Sequence, residues 1–318
     1  MGDDKGRWDI GSMPRLDGKT IIITGANSGI GEQLTSTLSS MGARVVMAVR
    51  DLRKGETVAA SIRQEMGDAT VEVMKLDLSD LGSVGDFITA FKLEHDSLDV
   101  LINNAGVMVP PYTLTEQGYE LQWGVNHLGH FALTGLLIDH LINTPGSRVV
   151  TQTSMAHWNG DINFDDINSE RGYKPWKAYQ QSKLANLLFA TGLQERLSSL
   201  GLGDPISLAS HPGISNTSLF RHGRMMKVLT FPLMQGSGRG SLPALRAATD
   251  PEARGGQLYG PSGMTEFKGF PVLVEPRNKG RDMRLGDRLW ELSEEMTGVR
   301  FSSHMRAAVC DEGSCGRR

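Results

Sequence analysis

A tyrosine and a lysine four residues apart are the residues of this sequence with the clearest potential for chemistry. Tyr179 and Lys183 lie in the segment WKAYQQSKLANLLFA (176–190), whose later residues predict an apolar helix. A spacing of i, i+4 places both side chains on one helix face. A free phenol has a pKa of about 10, and a nearby ammonium group favours the phenolate and lowers that pKa. The pair therefore predicts a proton donor and acceptor that works near neutral pH.

A glycine-rich turn, ITGANSGIG, follows the first apolar strand. Gly25, Gly29 and Gly31 stand where a strand gives way to a helix. Glycines permit a tight turn and a close approach of the backbone to a pyrophosphate, and the helix N-terminus supplies N–H groups and a positive dipole. Asn27 and Ser28 offer further hydrogen bonds to the turn or to a ligand. The turn therefore predicts a dinucleotide-binding site.

The end of the second strand, MAVRDLRKG, indicates which dinucleotide is bound. NAD-binding proteins place Asp or Glu about 20 residues beyond the glycines, to bond the ribose hydroxyls. Here Val49 stands near that place with Arg50 beside it, and a guanidinium pairs with a 2′-phosphate in bidentate fashion. Asp51 is the alternative carboxylate, although it also suits the N-cap of the next helix. NADP(H) is the predicted cofactor, with NAD(H) as the alternative.

Apolar strands alternate with helix-length segments along the chain. This alternation predicts an α/β, single-domain Rossmann fold, a doubly wound parallel sheet with helices on both faces. The predicted strands are 20–25, 43–50, 70–78, 98–106, 147–154 and 206–213, and the predicted helices outside the Tyr179 segment are 28–42, 51–67, 83–95, 118–142 and 281–298. The predicted organisation is an N-terminal extension (1–17), a catalytic domain (18–300) that includes a substrate-lid excursion (214–262), and a flexible tail (301–318).

Composition excludes several classes of partner. The net charge is −3, so no basic field favours nucleic acid. No apolar run approaches the roughly 18 residues that a membrane span requires, and the start of the chain has no secretory h-region. Cys310 and Cys315 lie in the predicted tail without a framework of ligands. We expect a cytoplasmic protein with no metal site, no disulfide and no membrane span.

Four motifs, in their order and spacing, resemble the short-chain dehydrogenases/reductases. They are TGANSGIG, NNAG (103–106), YQQSK (179–183) and HPG (211–213). The sequences AVRDLRKGE, GVNHLGHF and WELSEEMTG resemble more specifically the retinol-dehydrogenase-like, protochlorophyllide-reductase-like branch. The resemblance covers roughly residues 18–300. It implies reversible hydride transfer between nicotinamide C4 and a substrate carbon, with Tyr179 moving the proton. The positive nicotinamide ring of the oxidised cofactor would reinforce the effect of Lys183 on the tyrosine pKa.

The resemblance also implies roles for residues around Tyr179. Lys183 would bond the nicotinamide ribose, and Ser154 would donate or accept a hydrogen bond at the substrate oxygen. Asn126 would kink its helix and hold a water that joins Lys183 to a proton relay. The interval between Ser154 and Tyr179 is longer than is usual in the family, because of an insertion typical of the branch. Thr153 is the alternative serine position if the register slips by one, although its side chain should face the other way.

The cofactor contacts implied by the resemblance follow the strand ends. Asp77 and Leu78, the last two residues of the predicted third strand, would meet the adenine, and the NNAG backbone would pass the cofactor. The residues from Pro212 to Thr217 that follow the sixth strand would close over the carboxamide and pyrophosphate. The predicted cofactor-binding residues are Gly25, Asn27, Ser28, Gly29, Ile30, Gly31, Arg50, Asp77, Leu78, Asn103, Ala105, Gly106, Tyr179, Lys183, Pro212, Gly213, Ile214 and Thr217. Three histidines lack ligand spacing: we interpret His127 and His130 as helix packing and His157 as a pocket residue.

Substrate choice is expected to depend on the excursion 214–262 and the insertion 155–178. Segment 218–234 mixes Leu, Phe, Met and Val with basic residues, so it suits a lid over an apolar substrate, a membrane-surface contact or a subunit interface, and both monomer and homodimer remain open. The favoured function is an NADP-dependent alcohol dehydrogenase or carbonyl reductase acting on an apolar small molecule. The alternatives are C=C reduction, a non-redox reaction on the same scaffold, and a catalytically silent NADP-binding sensor. The intact set of Asn126, Ser154, Tyr179 and Lys183 argues against the sensor.

Overall fold

The computed structural model describes residues 7–213, 236–263, 265–303 and 305, and within them eight strands form one sheet. The strands are β1 (Thr20–Thr24), β2 (Arg44–Val49), β3 (Val71–Lys75), β4 (Val100–Asn103), β5 (Arg148–Gln152), β6 (Ile206–Ser210), β7 (Leu258–Pro261) and β8 (Pro271–Val274). The helices are α1 (Gly29–Ser40), α2 (Leu52–Met66), α3 (Leu81–Glu94), α4 (Leu121–Trp123), α5 (Gly129–Ile142), α6 (Pro175–Ser199), α7 (Ser237–Thr249) and α8 (Met283–Thr297), with a π-helical turn at Gly124–Leu128 between α4 and α5. The order across the sheet is β3-β2-β1-β4-β5-β6-β7-β8, and only the β7–β8 pair is antiparallel among the described pairings.

The sheet separates two hydrophobic layers, because successive residues of a strand point to opposite faces. In β1, Ile21 and Ile23 belong to the layer that also contains Leu34 of α1 and Leu242 of α7. Ile22 belongs to the opposite layer, which contains residues of α3 and α5. Helices therefore cover both faces, and the predicted α/β single-domain Rossmann fold is confirmed.

The topology creates a crevice at the carboxyl end of β1. The chain runs outward from β1 through β2 to β3 and then returns to the other side of β1 as β4. The loops that follow β1 and β4 diverge at such a switch point, and ligands of open α/β sheets bind there. The glycine turn follows β1 and the NNAG segment lies at the end of β4, so both motifs border this crevice.

The predicted excursion over 214–262 is wrong for its described part. Residues 236–262 continue the alternation, because α7 packs beside α1 over β5, β6 and β7, and β7 pairs in parallel with β6, with Ala209 opposite Leu258. The sequence did not indicate this helix, because the stretch contains several glycines and Pro243 and because the buried residues of the helix are mostly small. The remainder, 214–235, lies outside the described residues, as do the predicted contacts Ile214 and Thr217.

Both predicted terminal segments take part in the core. Trp8 and Met13 of the expected N-terminal extension are buried in the layer with α1. Phe301 and Met305 are each 1% exposed and pack in the opposite layer, so the predicted flexible tail does not begin at residue 301. The error arose because the apolar side chains of both segments lie outside a recognisable helix or strand. Each segment is too short for a hydrophobic periodicity that would indicate burial.

Membrane contact was predicted only as an alternative for segment 218–234. That segment lies outside the described residues, so its three alternatives stay predictions. None of the helices in the part of the chain that the structure describes has the length and apolar character needed to cross a membrane.

Candidate active site

A cavity of about 480 Å³ opens at the crevice between β1 and β4. The predicted cofactor residues that line it are Gly25, Asn27, Ser28, Ile30, Gly31, Arg50, Asp77, Leu78, Ala105, Gly106, Tyr179, Lys183 and Pro212. Gly29 begins α1 within the glycine turn, and Asn103 is the last residue of β4. Gly213 follows Pro212 with φ +66°. The structure thus brings the predicted set to one place, apart from the two residues outside its range.

The glycine turn has the geometry that a dinucleotide needs. Gly25 and Gly29 adopt φ of +63° and +58°, a region that favours glycine. A Cβ on Gly31 would lie 2.3 Å from the carbonyl oxygen of Gly25, so a side chain does not fit there. Ser28 is the N-cap of α1, and the helix N-terminus faces the cavity. Backbone N–H groups at this position suit a pyrophosphate, and these residues therefore fit the predicted cofactor.

Arg50 and Asp51 both line the cavity at the end of β2. Asp51 makes a hydrogen bond there through its side chain, and Arg50 through its backbone carbonyl. The Asp51 carboxylate caps α2 by accepting a hydrogen bond from the Lys54 N–H at 3.0 Å. Arg50 is exposed, and its carbonyl oxygen accepts a hydrogen bond from Lys75 Nζ at 2.7 Å. The predicted capping role of Asp51 is confirmed.

Thr24 and His130 hold the backbone that follows β4. The Thr24 hydroxyl accepts hydrogen bonds from the N–H groups of Asn104 and Ala105, both at 2.9 Å, and contacts His130 Nε2 at 2.8 Å. Burial lowers the pKa of His130 to about 4, so the ring is neutral and carries one proton. That proton lies on Nδ1, because Nδ1 contacts the carbonyl oxygen of Asn126 at 3.0 Å, and Nε2 therefore accepts from the hydroxyl. His130 does more than pack.

Asn126 lies in the π-helical turn Gly124–Leu128, as the predicted kink requires. Its side-chain oxygen accepts from the Val107 N–H at 2.7 Å, and its amide donates to the Val107 carbonyl at 2.9 Å and to Ser182 Oγ at 3.0 Å. Both amide hydrogens are thus used. The side chain therefore ties the loop after β4 to α6, one residue before Lys183.

Of the four predicted catalytic residues, Tyr179 and Lys183 line the cavity, whereas Ser154 and Asn126 lie next to α6 and are hydrogen-bonded to Tyr179 and Ser182. Tyr179 and Lys183 are 6% and 5% exposed, and Lys183 Nζ is 5.8 Å from the centroid of the Tyr179 ring. Lys183 Nζ also donates to the Gln152 carbonyl at 3.2 Å. The Thr153 hydroxyl is turned toward α6, where it donates to the Lys183 carbonyl at 2.6 Å, whereas Ser154 is hydrogen-bonded to Tyr179. The geometry therefore favours Ser154 over Thr153.

In the protein without cofactor, burial has the largest effect on the pKa values of Tyr179 and Lys183. It raises the pKa of Tyr179 to about 12, although the hydrogen bond with Ser154 acts in the opposite direction. Burial also lowers the pKa of Lys183 to about 8. In the protein without cofactor, desolvation therefore outweighs the attraction of an ammonium group nearly 6 Å from the ring. The predicted lowering of the tyrosine pKa includes the positive charge of the oxidised nicotinamide and stays a prediction.

His157 supports the site from behind. It is 1% exposed, it is not among the residues that line the cavity, and its Nδ1 donates to the Ser154 carbonyl at 2.7 Å. Burial lowers its pKa to about 4. The predicted pocket position of His157 is therefore wrong. His127 is also buried and neutral, with its pKa lowered to about 3 by burial, and it packs against aromatic rings as predicted.

An ion-pair network behind the HPG segment was missed in the sequence. His211 Nε2 lies 2.9 Å from Glu266 Oε2, and Arg277 donates to the other carboxylate oxygen at 2.5 Å. The Gly213 N–H donates to His211 Nδ1 at 3.3 Å, so the network reaches the turn beside the cavity. His211 belongs to a quoted motif, but nothing in the sequence near Glu266 or Arg277 marks them as its partners.

Apolar residues form the part of the wall nearest to Tyr179. Met108 and Ala156 are buried against Tyr179, and Val109 packs on the same cluster. The ring of Trp176, which is 43% exposed, lies 5.5 Å from the Tyr179 ring. The Tyr179 side chain therefore lies among apolar groups at this wall.

Comparisons with known proteins agree with this geometry. A family model described as short chain dehydrogenase matches residues 19–223. The chain is 40% identical to retinol dehydrogenase 12 of Homo sapiens over 290 residues, which cover 90% of this chain and 89% of that protein. It is 38% identical to retinol dehydrogenase 11 of Homo sapiens over 291 residues, covering 91% and 88%.

Solved structures of similar fold include one at comparable identity. A crystal structure of an uncharacterised protein from Mycobacterium paratuberculosis superimposes with a TM-score of 0.78 and 41% identity, covering 93% of this chain and 99% of that one. The Pseudomonas aeruginosa RhlG/NADP active-site complex superimposes with a TM-score of 0.62 and 21% identity, covering 76% and 94%. At that identity the second structure supports the fold alone.

Proposed function

We propose, from the premise that the chain belongs to the short-chain dehydrogenase family and is an NAD(P)-dependent oxidoreductase, that it interconverts a carbonyl and an alcohol on an apolar small molecule, with NADP(H) as cofactor. The resemblance to the retinol-dehydrogenase-like branch is confirmed by its relatives. One observation carries the proposal: Tyr179 and Lys183 line the same cavity that the glycine turn borders, and Ser154 is hydrogen-bonded to Tyr179.

The residues of this chain supply the proton side of the reaction. NADPH, when bound, supplies the hydride that goes to the carbonyl carbon. Tyr179 gives its hydroxyl proton to the substrate oxygen, and Ser154 holds that oxygen by a hydrogen bond. In the oxidation direction, Tyr179 takes the alcohol proton back. Asn126 and Thr24 keep the loop after β4 in register with these groups through their backbone contacts.

Lys183 assists by position and charge. With a pKa of about 8 it is mainly protonated at neutral pH, and its ammonium lies on the same helix face as Tyr179. The positive charge of an oxidised nicotinamide would add to that of Lys183 and oppose the effect of burial on the tyrosine. We therefore expect the pKa of Tyr179 to fall when the oxidised cofactor binds.

The preference for NADP(H) rests on charge at the end of β2. Arg50 and Lys54 line the cavity there, and Asp51 has one carboxylate oxygen engaged as the cap of α2. A guanidinium matches a 2′-phosphate better than a hydroxyl. We infer that Arg50 pairs with the 2′-phosphate, and that Arg50→Ala narrows the preference for NADPH over NADH.

The proposed substrate class rests on the apolar cluster beside Tyr179. Met108, Ala156 and Val109 offer no charge to a substrate in that region. Two relatives are named retinol dehydrogenases, so all-trans-retinal is the first aldehyde to test, beside aliphatic aldehydes of increasing length, ketones and enones.

The test is NADPH oxidation against this panel, with NADH as the cofactor control and product analysis to separate C=O from C=C reduction. Wild type should turn over at least one apolar carbonyl, and Tyr179→Phe should lose about 100-fold or more in kcat, as general acid–base groups commonly contribute. Retention of kcat within threefold in Tyr179→Phe would overturn the assigned mechanism. Equal use of NADH would overturn the cofactor preference and leave the mechanism standing.

A further inference from the structure

Val109 adopts a backbone conformation that β-branched residues rarely take. Its φ is +47°, and the other non-glycine residues with positive φ in the described part of the chain are Ser169, Glu266 and Asn278, none of which is β-branched. Such a conformation persists only where the surroundings over-determine it, and it is concentrated at ligand-binding walls. Val109 packs against the cluster that contains Tyr179, so the unusual conformation lies at the proposed substrate wall.

A buried glutamine holds this segment from α4. The Gln122 side-chain oxygen accepts a hydrogen bond from the Val109 N–H at 2.9 Å. Its amide nitrogen donates to Tyr173 Oη at 3.0 Å and to the Pro175 carbonyl at 2.9 Å, which uses both of its hydrogens. Gln122 is 0% exposed, so removing its amide would take one hydrogen bond from each of these three groups with no ready access of water to replace it.

The same network fixes the residue after Val109. Tyr173 Oη donates to the Pro110 carbonyl at 2.9 Å while it accepts from Gln122. The N–H of Val109 is therefore held by the buried Gln122 amide, and the carbonyl of Pro110 by the half-buried Tyr173 hydroxyl. Met108 and Pro110, on either side of Val109, line the cavity.

The network also reaches the helix that carries the proton donor. Pro175, whose carbonyl accepts from Gln122, is the first residue of α6, and Tyr179 follows one turn later. One amide thus connects the strained wall segment with the start of the catalytic helix. A change at Gln122 is expected to shift the distance between that wall and the Tyr179 hydroxyl.

We propose that Gln122 is a positioning residue that holds the Val109–Pro110 wall in its left-handed conformation and thereby sets how an extended apolar substrate lies against Tyr179. The proposal rests on the proposed carbonyl reduction. It assigns Gln122 no contact with the cofactor, since the glycine turn and the end of β2 are built by other residues. The dependence of KM on substrate length should therefore change when Gln122 is replaced, and the affinity for NADPH should not.

The experiment compares Gln122→Met with wild type on the longest and the shortest aldehyde of the panel that wild type reduces. Methionine keeps the length of the side chain and removes its hydrogen bonds. We expect KM for the long aldehyde to rise at least fivefold, with KM for the short aldehyde and Kd for NADPH both within twofold of wild type. Equal changes in KM for both aldehydes and in Kd for NADPH would overturn the positioning role and would indicate a general loosening of the structure.

Gln194→Met is the matched control. Gln194 is a half-buried glutamine further along α6, whose side-chain oxygen accepts from the Ser207 N–H at 2.8 Å and whose amide donates to Ser198 Oγ at 3.1 Å. It should lower Tm as Gln122→Met does, but it should not separate long from short aldehydes. If it separates them equally, the effect is not specific to the Val109 wall, and the proposal fails.

Val109→Gly tests whether strain is the reason for the network. Glycine adopts a positive φ without restraint, so adding Gln122→Met to Val109→Gly should change KM for the long aldehyde less than twofold. An undiminished fivefold effect in that background would contradict the proposal. Tyr173→Phe, which removes the hydroxyl that holds Pro110, should shift KM in the same direction by a smaller factor and serves if Gln122→Met does not fold.

The outcomes separate the two proposals. If wild type reduces no aldehyde, or if Tyr179→Phe keeps its activity, the proposed function fails. If wild type is active, Tyr179→Phe is not, and neither Gln122→Met nor Tyr173→Phe alters the ratio of KM values, only the positioning role fails.

Discussion

The cavity has two walls that both require a left-handed backbone, and the chain builds them from opposite kinds of residue. At the dinucleotide wall, Gly25 and Gly29 adopt φ near +60°, which glycine does without steric strain. At the wall beside Tyr179, Val109 adopts φ +47° and is held there by the amide of Gln122. The first wall is a property of the backbone, whereas the second depends on buried side chains from other elements.

This difference indicates which wall tolerates change. The dinucleotide wall leaves no room for a Cβ at Gly31, so any substitution there forces the backbone apart. The other wall rests on hydrogen bonds, which can be weakened or rearranged one at a time. We therefore expect cofactor binding to fail abruptly on substitution, and substrate choice to change by degrees.

The largest expected effect comes from Gly31→Ala. The added methyl group would lie 2.3 Å from the Gly25 carbonyl oxygen and 2.8 Å from Asn104 Nδ2, so the turn cannot keep its form. We expect NADPH affinity, measured by fluorescence titration, to fall more than about 100-fold, equivalent to roughly 3 kcal/mol.

Gly85→Ala is the control for Gly31→Ala. Gly85 lies inside α3, and a Cβ there would meet nothing within 4 Å. This variant should bind NADPH as wild type does and gain up to about 1 kcal/mol of stability, because alanine favours a helix over glycine. Wild-type NADPH affinity in Gly31→Ala would contradict the idea that the backbone alone forms this wall.

The sequence indicated the dinucleotide wall because its requirement is local. Glycines spaced within one turn, followed by an amphipathic helix, are visible without a structure, and Tyr179 and Lys183 are one helical turn apart. The apolar strands likewise predicted most of the sheet, since burial on both faces leaves continuous apolar runs.

What the sequence did not indicate depends on contacts between distant residues. Gln122 meets Val109 and Tyr173 only after α4 and α6 have packed, and nothing in its neighbours distinguishes it from a surface glutamine. The direction of the Tyr179 pKa shift followed from burial, which a spacing does not reveal. α7 was missed because most of its buried residues are small, with leucine at only two positions, and because Pro243 lies inside the helix.

Thr24→Val sharpens the comparison, because Thr24 is a side chain that holds the backbone after β4, beside the dinucleotide wall. Its hydroxyl accepts from the half-buried N–H groups of Asn104 and Ala105 and contacts the buried ring of His130. Valine has the same shape without the hydroxyl, and each unsatisfied buried group costs about 1–3 kcal/mol. We expect the free energy of unfolding in urea to fall by about 3 kcal/mol. Thr24→Ser, which keeps the hydroxyl, should lose less than half as much; an equal loss would show that the methyl group matters instead.

The smallest expected effect concerns Glu266. This residue supports the turn at Gly213, which has features of both walls of the cavity. Gly213 has φ +66°, and a Cβ there would lie 2.3 Å from the Phe267 carbonyl oxygen, so glycine is required as at the first wall. The same residue also donates to His211, which Glu266 and Arg277 hold, as side chains hold the second wall. Glu266→Gln keeps the shape and removes the charge, so we expect a loss of about 1–2 kcal/mol at pH 7, a charge-assisted hydrogen bond being worth about that much.

The pH dependence of that loss distinguishes charge from shape. Burial alone would raise the pKa of Glu266, but hydrogen bonds from His211 and Arg277 outweigh it and lower the pKa below the ordinary 4.5. A carboxylate with a lowered folded-state pKa contributes stability above pH 4.5, and this contribution is lost as the pH falls through the folded pKa. The difference in unfolding free energy between wild type and Glu266→Gln should therefore stay constant from pH 7 to about 5 and shrink below 4.5.

The exposed Glu291 of α8, changed to Gln, should show no such dependence. A difference that persists undiminished at acid pH would mean that the turn needs the shape of Glu266 and not its charge, and Gly213 would then belong with the glycine wall alone.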